Sequence, residues 1–143
     1  SLKDGSKKMS KSELSDLSRI NLTDDRDAIV NKIKKAKTDP LPMPSSVEEL
    51  NERLEARNLL GIYSSLNNST LQNTVENFSG KNFSEFKNQL SDLLVKKIEP
   101  ISLEIKKLLN DQPYLDKILL EGVEKANSIA SKKIDRIKEI LGF

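Results

Sequence analysis

Apolar residues recur along the chain at spacings of three and four, and no segment alternates as a half-buried strand would. Ile29, Ile33 and Ala36 form the first stripe. The acidic run Thr23-Asp24-Asp25 precedes it, and Lys34, Lys35 and Lys37 close it, charges that suit the two ends of a helix. Three prolines between Asp39 and Ser45 remove backbone donors and push the residues before them toward extended geometry, so this stretch reads as a stiff connector. Ser46-Val47-Glu48-Glu49 has the Ser-x-x-Glu pattern of a capping box. With Leu50, Leu54, Leu59, Ile62, Tyr63 and Leu66 behind it, the pattern predicts helix through Leu66 with a break near Asn58. Thr70 caps a short element bearing Leu71, Val75 and Phe78, and Ser79-Gly80-Lys81-Asn82 turns the chain. From Phe83 the helical period persists to Leu108 with Pro100 inside it, which predicts a kinked helix. Asp111-Gln112-Pro113 then starts a last stripe from Leu115 to Leu141, closed by Gly142. Within that stripe Gly122, Ala126 and Ala130 stand four apart and would admit a close neighbouring helix. The expected fold is all-α, an irregular bundle of about five helices.

Composition narrows the chemistry more than the fold. Apolar residues make up 36% and charged residues 32%, while aromatics are only 4%, so the core must be built mainly from Leu, Ile, Val and Ala. With no cysteine and no histidine, disulfides, thiolate zinc sites and imidazole bases drop out. No apolar run approaches the length of a membrane span, and Ser1-Leu2-Lys3 lacks the layout of a signal peptide, so a cytoplasmic location is expected. The first residue is not methionine and the chain opens on a finished loop, which points to a piece of a longer protein. The net charge of +2, from 24 basic and 22 acidic residues, is too small for a global nucleic-acid field, so any RNA contact must be local.

Few residues remain as candidates for function. Asp24, Asp25 and Asp27 resemble a metal cluster only superficially, because capping and the helix dipole account for acidic residues at that place. Lys34-Lys35 and Lys132-Lys133 read as solvated charge on helix faces. The loop Lys8-Met9-Ser10-Lys11-Ser12 is different. Gly5 and the serines leave its backbone pliable, two ammonium groups share one short segment, and hydroxyl donors stand beside them. A polyphosphate matches that chemistry, each ion contact being worth roughly 4 kcal/mol before desolvation costs. Met9 is the odd apolar member and could anchor the loop on a neighbouring surface, giving it a docked and a released position.

The stretch KKMSKS, Lys7 to Ser12, resembles the signature loop of class I aminoacyl-tRNA synthetases. Four further stretches narrow the resemblance: Ser18 to Pro40, Arg57 to Leu66, Phe86 to Ile101 and Tyr114 to Ala130 are similar to the carboxyl-terminal half of the bacterial tryptophanyl-tRNA synthetase family. The resemblance covers the whole chain. It implies ATP-dependent activation of tryptophan and transfer to its tRNA, with ATP accompanied by Mg2+. It implies that Lys8, Met9, Ser10, Lys11 and Ser12 form an ATP-binding loop. Lys11 would stabilise charge on the leaving pyrophosphate, Lys8 would be a second phosphate contact, and Ser10 a hydrogen-bonding member. Residues 1–22 would be a mobile signature loop with the connection to an absent amino-terminal Rossmann-like catalytic half, and residues 23–143 a helical domain of the anticodon-binding type. The tryptophan pocket would lie in the absent half, and the parent enzyme would be a homodimer. Individual tRNA contacts cannot be assigned. The chain departs from the usual pattern in having Glu13-Leu14 where relatives often turn with Asp-Pro, and Leu54 where many have proline. A non-catalytic helical module binding tRNA or protein is the alternative, and it leaves the Lys8 to Ser12 loop without a task.

Overall fold

The computed structural model describes residues 1–142. It is all-α, with α1 at Arg26–Lys35, α2 at Leu54–Leu66, α3 at Leu71–Phe78, α4 at Phe83–Asn110 and α5 at Gln112–Leu141. Two single 3-10 turns, Asp16–Ser18 and Glu48–Asn51, precede α1 and α2, and no strand occurs among the described residues. The chain divides into two compact units, Ser1–Leu103 and a second beginning at Glu104.

The first unit holds the core. Ile29 and Ile33 of α1, Leu59 and Leu60 of α2, Val75 of α3 and Phe86 and Leu90 of α4 are buried together. Phe78 meets Phe86 edge-on at 4.8 Å between centroids, and Tyr63 meets Phe78 edge-on at 4.9 Å. So few rings suffice because they are concentrated where α2, α3 and α4 converge, in the geometry their quadrupoles favour.

Most helix boundaries follow the polar residues that flank the stripes. The Asp25 carboxylate accepts from the Ala28 N–H at 2.9 Å, and Thr70 Oγ1 accepts from the Asn73 N–H at 3.2 Å. The C-terminal carbonyls of α1 are capped from a distance by Lys87, whose Nζ donates to the carbonyls of Lys34 and Ala36. Burial alone pushes the Lys87 ammonium below its ordinary value. Gly80 carries φ +71°, a left-handed turn that glycine adopts without strain, between α3 and α4.

The region around Ser46 differs from the expectation. Helix does not run from Ser46 to Leu66; the Glu48–Asn51 turn stops, and α2 begins only at Leu54. The break therefore lies at Glu52-Arg53, and Asn58 sits inside α2. Arg53 explains the position: its guanidinium donates to both Asp39 carboxylate oxygens, at 2.7 and 3.1 Å, and to the Pro42 carbonyl at 2.7 Å. This fork clamps the proline connector against the start of α2. The capping box also fails to close, since Val47 holds the N-cap position and Glu49 accepts weakly from the Ser45 N–H at 3.3 Å. The connector itself is pinned at Met43, which exchanges backbone bonds with Lys81 and Gly80.

α4 continues through Pro100, and beyond Val95 its one buried residue is Ser102, which donates to the Thr23 carbonyl at 3.2 Å. In the second unit, Asp111 caps α5 at the Tyr114 N–H and Gly142 ends it with φ +77°. None of the residues of α5 is buried. A Cβ built at Gly122 would meet nothing within 4 Å, so the close helix approach expected at Gly122, Ala126 and Ala130 is not found among the described residues.

Candidate phosphate-binding loop

The segment that carries Lys8 to Ser12 is a strap rooted at both ends. At its entry Leu2 is buried; its N–H donates to the Ser18 carbonyl at 2.9 Å and its carbonyl accepts from the Lys37 N–H at 2.8 Å. Leu2 thus ties the two ends of the strap to each other and to the end of α1. Asn58 of α2 adds a bond to the Ser1 carbonyl at 3.2 Å.

Gly5 does more than leave the backbone pliable; it permits a close crossing. A Cβ at Gly5 would lie 2.5 Å from the Leu54 carbonyl oxygen and 2.7 Å from the Glu55 nitrogen. Backbone lies against backbone there, so only glycine lets the strap cross the first turn of α2. Beside this crossing Lys37 and Glu55 pair at 2.8 Å. That contact raises the Lys37 ammonium and lowers the Glu55 carboxyl from their ordinary values. Gly5→Ala is therefore expected to destabilise the chain by about 1–3 kcal/mol, as overpacking against rigid atoms does. Loss of the Leu2 amide's hydrogen-exchange protection, with the α3 amides unchanged, would check that the damage is confined to the strap.

At the exit, the strap is held by charge. Lys32 of α1, its side chain only 5% exposed, reaches Asp24 at 2.6 Å and Asp16 at 2.5 Å. Burial pulls the Lys32 ammonium down, but the hydrogen bonds and charges of Asp16 and Asp24 outweigh it and the net shift is upward. The Asp16 carboxyl is held below its ordinary value, first by the Lys32 hydrogen bond and then by that of Asn21. Arg19 donates to Asn21 and to the Glu13 carbonyl, carrying the network up to the loop. Asp25 is the capping residue as expected, whereas Asp24 serves Lys32 and accepts from the Asn21 N–H at 2.8 Å. Capping therefore does not account for Asp24.

Between these roots Lys8, Met9, Ser10, Lys11 and Ser12 are all exposed. The Ser10 and Ser12 hydroxyls lie 2.9 Å apart, and the Ser12 N–H points to Ser10 Oγ at 3.3 Å. Asp4 pairs with Lys7 at 3.5 Å, and Asp16 with Arg19 at 3.2 Å; neither Lys8 nor Lys11 has an ion pair among the described residues. Two cavities flank the strap. Lys8 and Ser10 line a polar one of about 220 Å³ together with Lys3, Asp4 and Lys7. Met9 lines the other, a mostly apolar cleft of about 690 Å³, with Leu2, Ile20, Ile62, Leu66 and Leu94 and beside the polar Arg19, Arg57, Asn58 and Ser65. Lys11 and Ser12 line neither. The sequence singled out the loop residues but not Leu2, Arg19, Asp16 or Lys32, whose partners come from distant segments. The Asp24 to Lys32 spacing of eight gave no helical-pair signal of the usual three or four.

A helical chain with a lysine-bearing strap rooted on α1 and α2 has a counterpart among known proteins. The family described as tRNA synthetases class I (W and Y) matches residues 1–99, and the chain belongs to that family. Over all 143 residues it is 52% identical to the tryptophan--tRNA ligase of Agrobacterium fabrum, covering 40% of that protein. It is 49% identical to the ligase of the same name from Mesorhizobium japonicum, again covering 40%, and 48% identical to that of Rickettsia conorii, covering 43%. The chain thus spans about two fifths of the length of the curated relatives it matches. No helix among the described residues is long and apolar enough to cross a membrane.

Proposed function

We propose that the chain is the carboxyl-terminal part of a tryptophan-tRNA ligase, supplying the loop that closes over ATP and the helices that engage tRNA. The observation that carries this reading is the exposed Lys8 to Ser12 loop, whose two ammonium groups have no ion pair among the described residues, set in a chain about half identical throughout to proteins named tryptophan--tRNA ligase. In the reaction, a carboxylate oxygen of tryptophan attacks the α-phosphorus of ATP. The bond from that phosphorus to the bridging oxygen breaks, and pyrophosphate leaves with its negative charge. Lys11 acts on that developing charge, Lys8 holds a second phosphate, and Ser10 and Ser12 supply hydroxyl donors, with Met9 seating the strap. Mg2+ travels with the triphosphate as part of the substrate, and no residue of this chain is assigned to it. Preorganised charge is usually the largest catalytic contribution, and a strap tied down at both ends keeps its reorganisation small. Residues 1–22 are then the signature segment and its connection to a nucleotide-binding half, residues 23–143 the anticodon-binding-type domain, and the working enzyme a cytoplasmic homodimer.

The test is amino-acid-dependent exchange between pyrophosphate and ATP by the enzyme that contains this chain. Exchange with tryptophan and none with tyrosine is expected, and the isolated chain should show neither, because the strap is only half of a site. Tyrosine-dependent exchange, or robust exchange by the isolated chain, would overturn the reading. Engagement of tRNA is tested separately by footprinting the tryptophan tRNA on the enzyme with and without residues 104–143. Anticodon-loop protection that survives the deletion would remove the recognition role from that part.

A further inference from the structure

Helix α5 is 30 residues long, none of them buried, and its large apolar side chains from Tyr114 to Leu141 are 46 to 74% exposed. That stripe is mirrored about Ala126. Four residues out, Gly122 mirrors Ala130; three out, Val123 mirrors Ile129; and eight out, Ile118 mirrors Ile134. A face that reads alike in both directions suits an inverted copy of itself, the isologous contact of a two-fold dimer. The charges favour the same arrangement. Residues 111–124 carry four acids and one base, a net −3, whereas residues 125–139 carry five bases and two acids, a net +3. The helix dipole favours that order only in the first and last turns, yet the separation reaches Glu124 and Lys125 at the middle. Within α5 the described residues form one ion pair, Lys117 with Glu121 at 4.0 Å, so most of this charge has no partner in the helix. A parallel pair would set like halves together, and an inverted pair sets each acidic half on a basic one. We infer that α5 is a self-association element: two copies of the chain pair through it in antiparallel register about a two-fold axis at Ala126.

The middle of the helix fits a close crossing. A Cβ at Gly122 would meet nothing within 4 Å, and with Ala126 and Ala130 beside it the backbone of a second helix can come near. Further out, Ile118 meets Ile134 of the second copy, and Asp116 comes beside Lys138 of the second copy, once on each side of the axis. Lys133 breaks the mirror at Leu119; its long stem can cover that leucine while the ammonium stays in water. A 30-residue helix is about 45 Å long and about 10 Å across, so one side of it offers about 700 Å², near the roughly 800 Å² that each partner gives to a standard interface. No residue of the strap enters the pairing, so the inference stands apart from the ligase reading.

The chain has no cysteine, so single cysteines report the pairing directly. Ala126→Cys should give a disulfide-linked dimer under mild oxidation, because the axis brings the two Cα atoms within the roughly 7 Å that a disulfide spans. Glu124→Cys, turned about 200° away around the helix, should stay unlinked. Sedimentation of the unaltered chain should find a dimer at about 100 μM that dissociates on dilution. Asp116→Lys should weaken that dimer about tenfold, since the axis repeats the new like-charge contact with Lys138, and Lys138→Glu should do the same. The double variant carries both reversals on each copy and should return to within about threefold of the parent, a recovery that non-specific apolar association would not show. A monomeric parent chain, equal cross-linking at positions 124 and 126, or no recovery in the double variant would overturn the inference. In the enzyme that contains the chain the Ala126→Cys cross-link between copies should persist. Its absence there would give the face to the rest of that protein and overturn the pairing, whereas a cross-linked enzyme without tryptophan-dependent exchange would refute the ligase reading alone.

Discussion

Lys32→Met should cost the chain about 3–5 kcal/mol of stability, the loss expected when one partner of a buried ion pair is removed and the other stays behind. The side chains of Lys32 and Asp24 are 5% and 9% exposed, so water cannot take the place of the missing ammonium. A domain is typically stable by only 5–15 kcal/mol, which makes this a large share of the total. The effect should also depend on pH in a definite direction. The Asp16 carboxyl, lowered from its ordinary 3.8, contributes stability that is present above that value and lost as pH falls through its folded value. The Lys32 ammonium, raised from its ordinary 10.5, contributes stability that is present below that value and lost as pH rises through its folded one. The gap between parent and variant should therefore be widest from about pH 5 to 10 and should narrow at both extremes. Urea unfolding of both proteins across that range measures it. A constant deficit under about 1 kcal/mol would place Lys32 among ordinary surface pairs.

This network was largely invisible in the sequence, and the reason is physical. Periodicity reports which face of a helix is apolar, so the stripes of Ile29 and Ile33, of Val75 and Phe78, and of Phe86 and Leu90 could be read directly, and their residues are buried. Caps could be read too, because Asp25, Thr70 and Asp111 act on N–H groups three residues away. Interactions across long separations carry no such local mark. Arg53 finds Asp39, Lys87 finds the carbonyls of α1, and Lys32 finds Asp16, each across 14 residues or more. Arg53 in particular moved the start of α2 from the apparent capping box to Leu54, since a forked bond to the connector outweighs a weak local cap. The stripe of α5 shows the opposite limit: its period gave the helix correctly, yet nothing in a period states what will cover Ile118, Ile129 or Ile137, all of which are exposed.

The loop follows the same division. Lys8, Met9, Ser10, Lys11 and Ser12 stand out in the sequence because they are consecutive, and the structure exposes them together in one loop, while the pieces that hold that loop in place carry no such mark. Gly5 belongs to both classes, visible as a glycine but assigned a task only when its contact with the Leu54 carbonyl is seen. The two faces of the strap likewise emerge from structure alone: Lys8 and Ser10 on the polar cavity, Met9 on the apolar cleft.

On the ligase reading proposed above, Lys11→Ala in the enzyme that contains this chain is expected to lower the rate of tryptophan activation by about 10²-fold, the loss typical when one preorganised donor to the developing charge is removed. Lys11 lines neither cavity and has no ion pair among the described residues, so its ammonium is not committed to another structural contact. Its removal should leave the fold intact, and unfolding midpoints of parent and variant should agree. Tryptophan affinity should change little, because the charge in question appears on pyrophosphate and not on the amino acid. The loss should thus fall on the rate of activation, the signature of an interaction strongest in the transition state. Lys8→Ala provides the contrast: Lys8 lines the polar cavity, and its proposed task is to hold a phosphate that is already bound in the ground state. Its loss should weaken ATP binding more than it slows the step. Pre-steady-state measurement of adenylate formation at varied ATP separates the two effects. An activation rate within about a factor of two of the parent for Lys11→Ala would place that residue outside the transition state and transfer the role to Lys8.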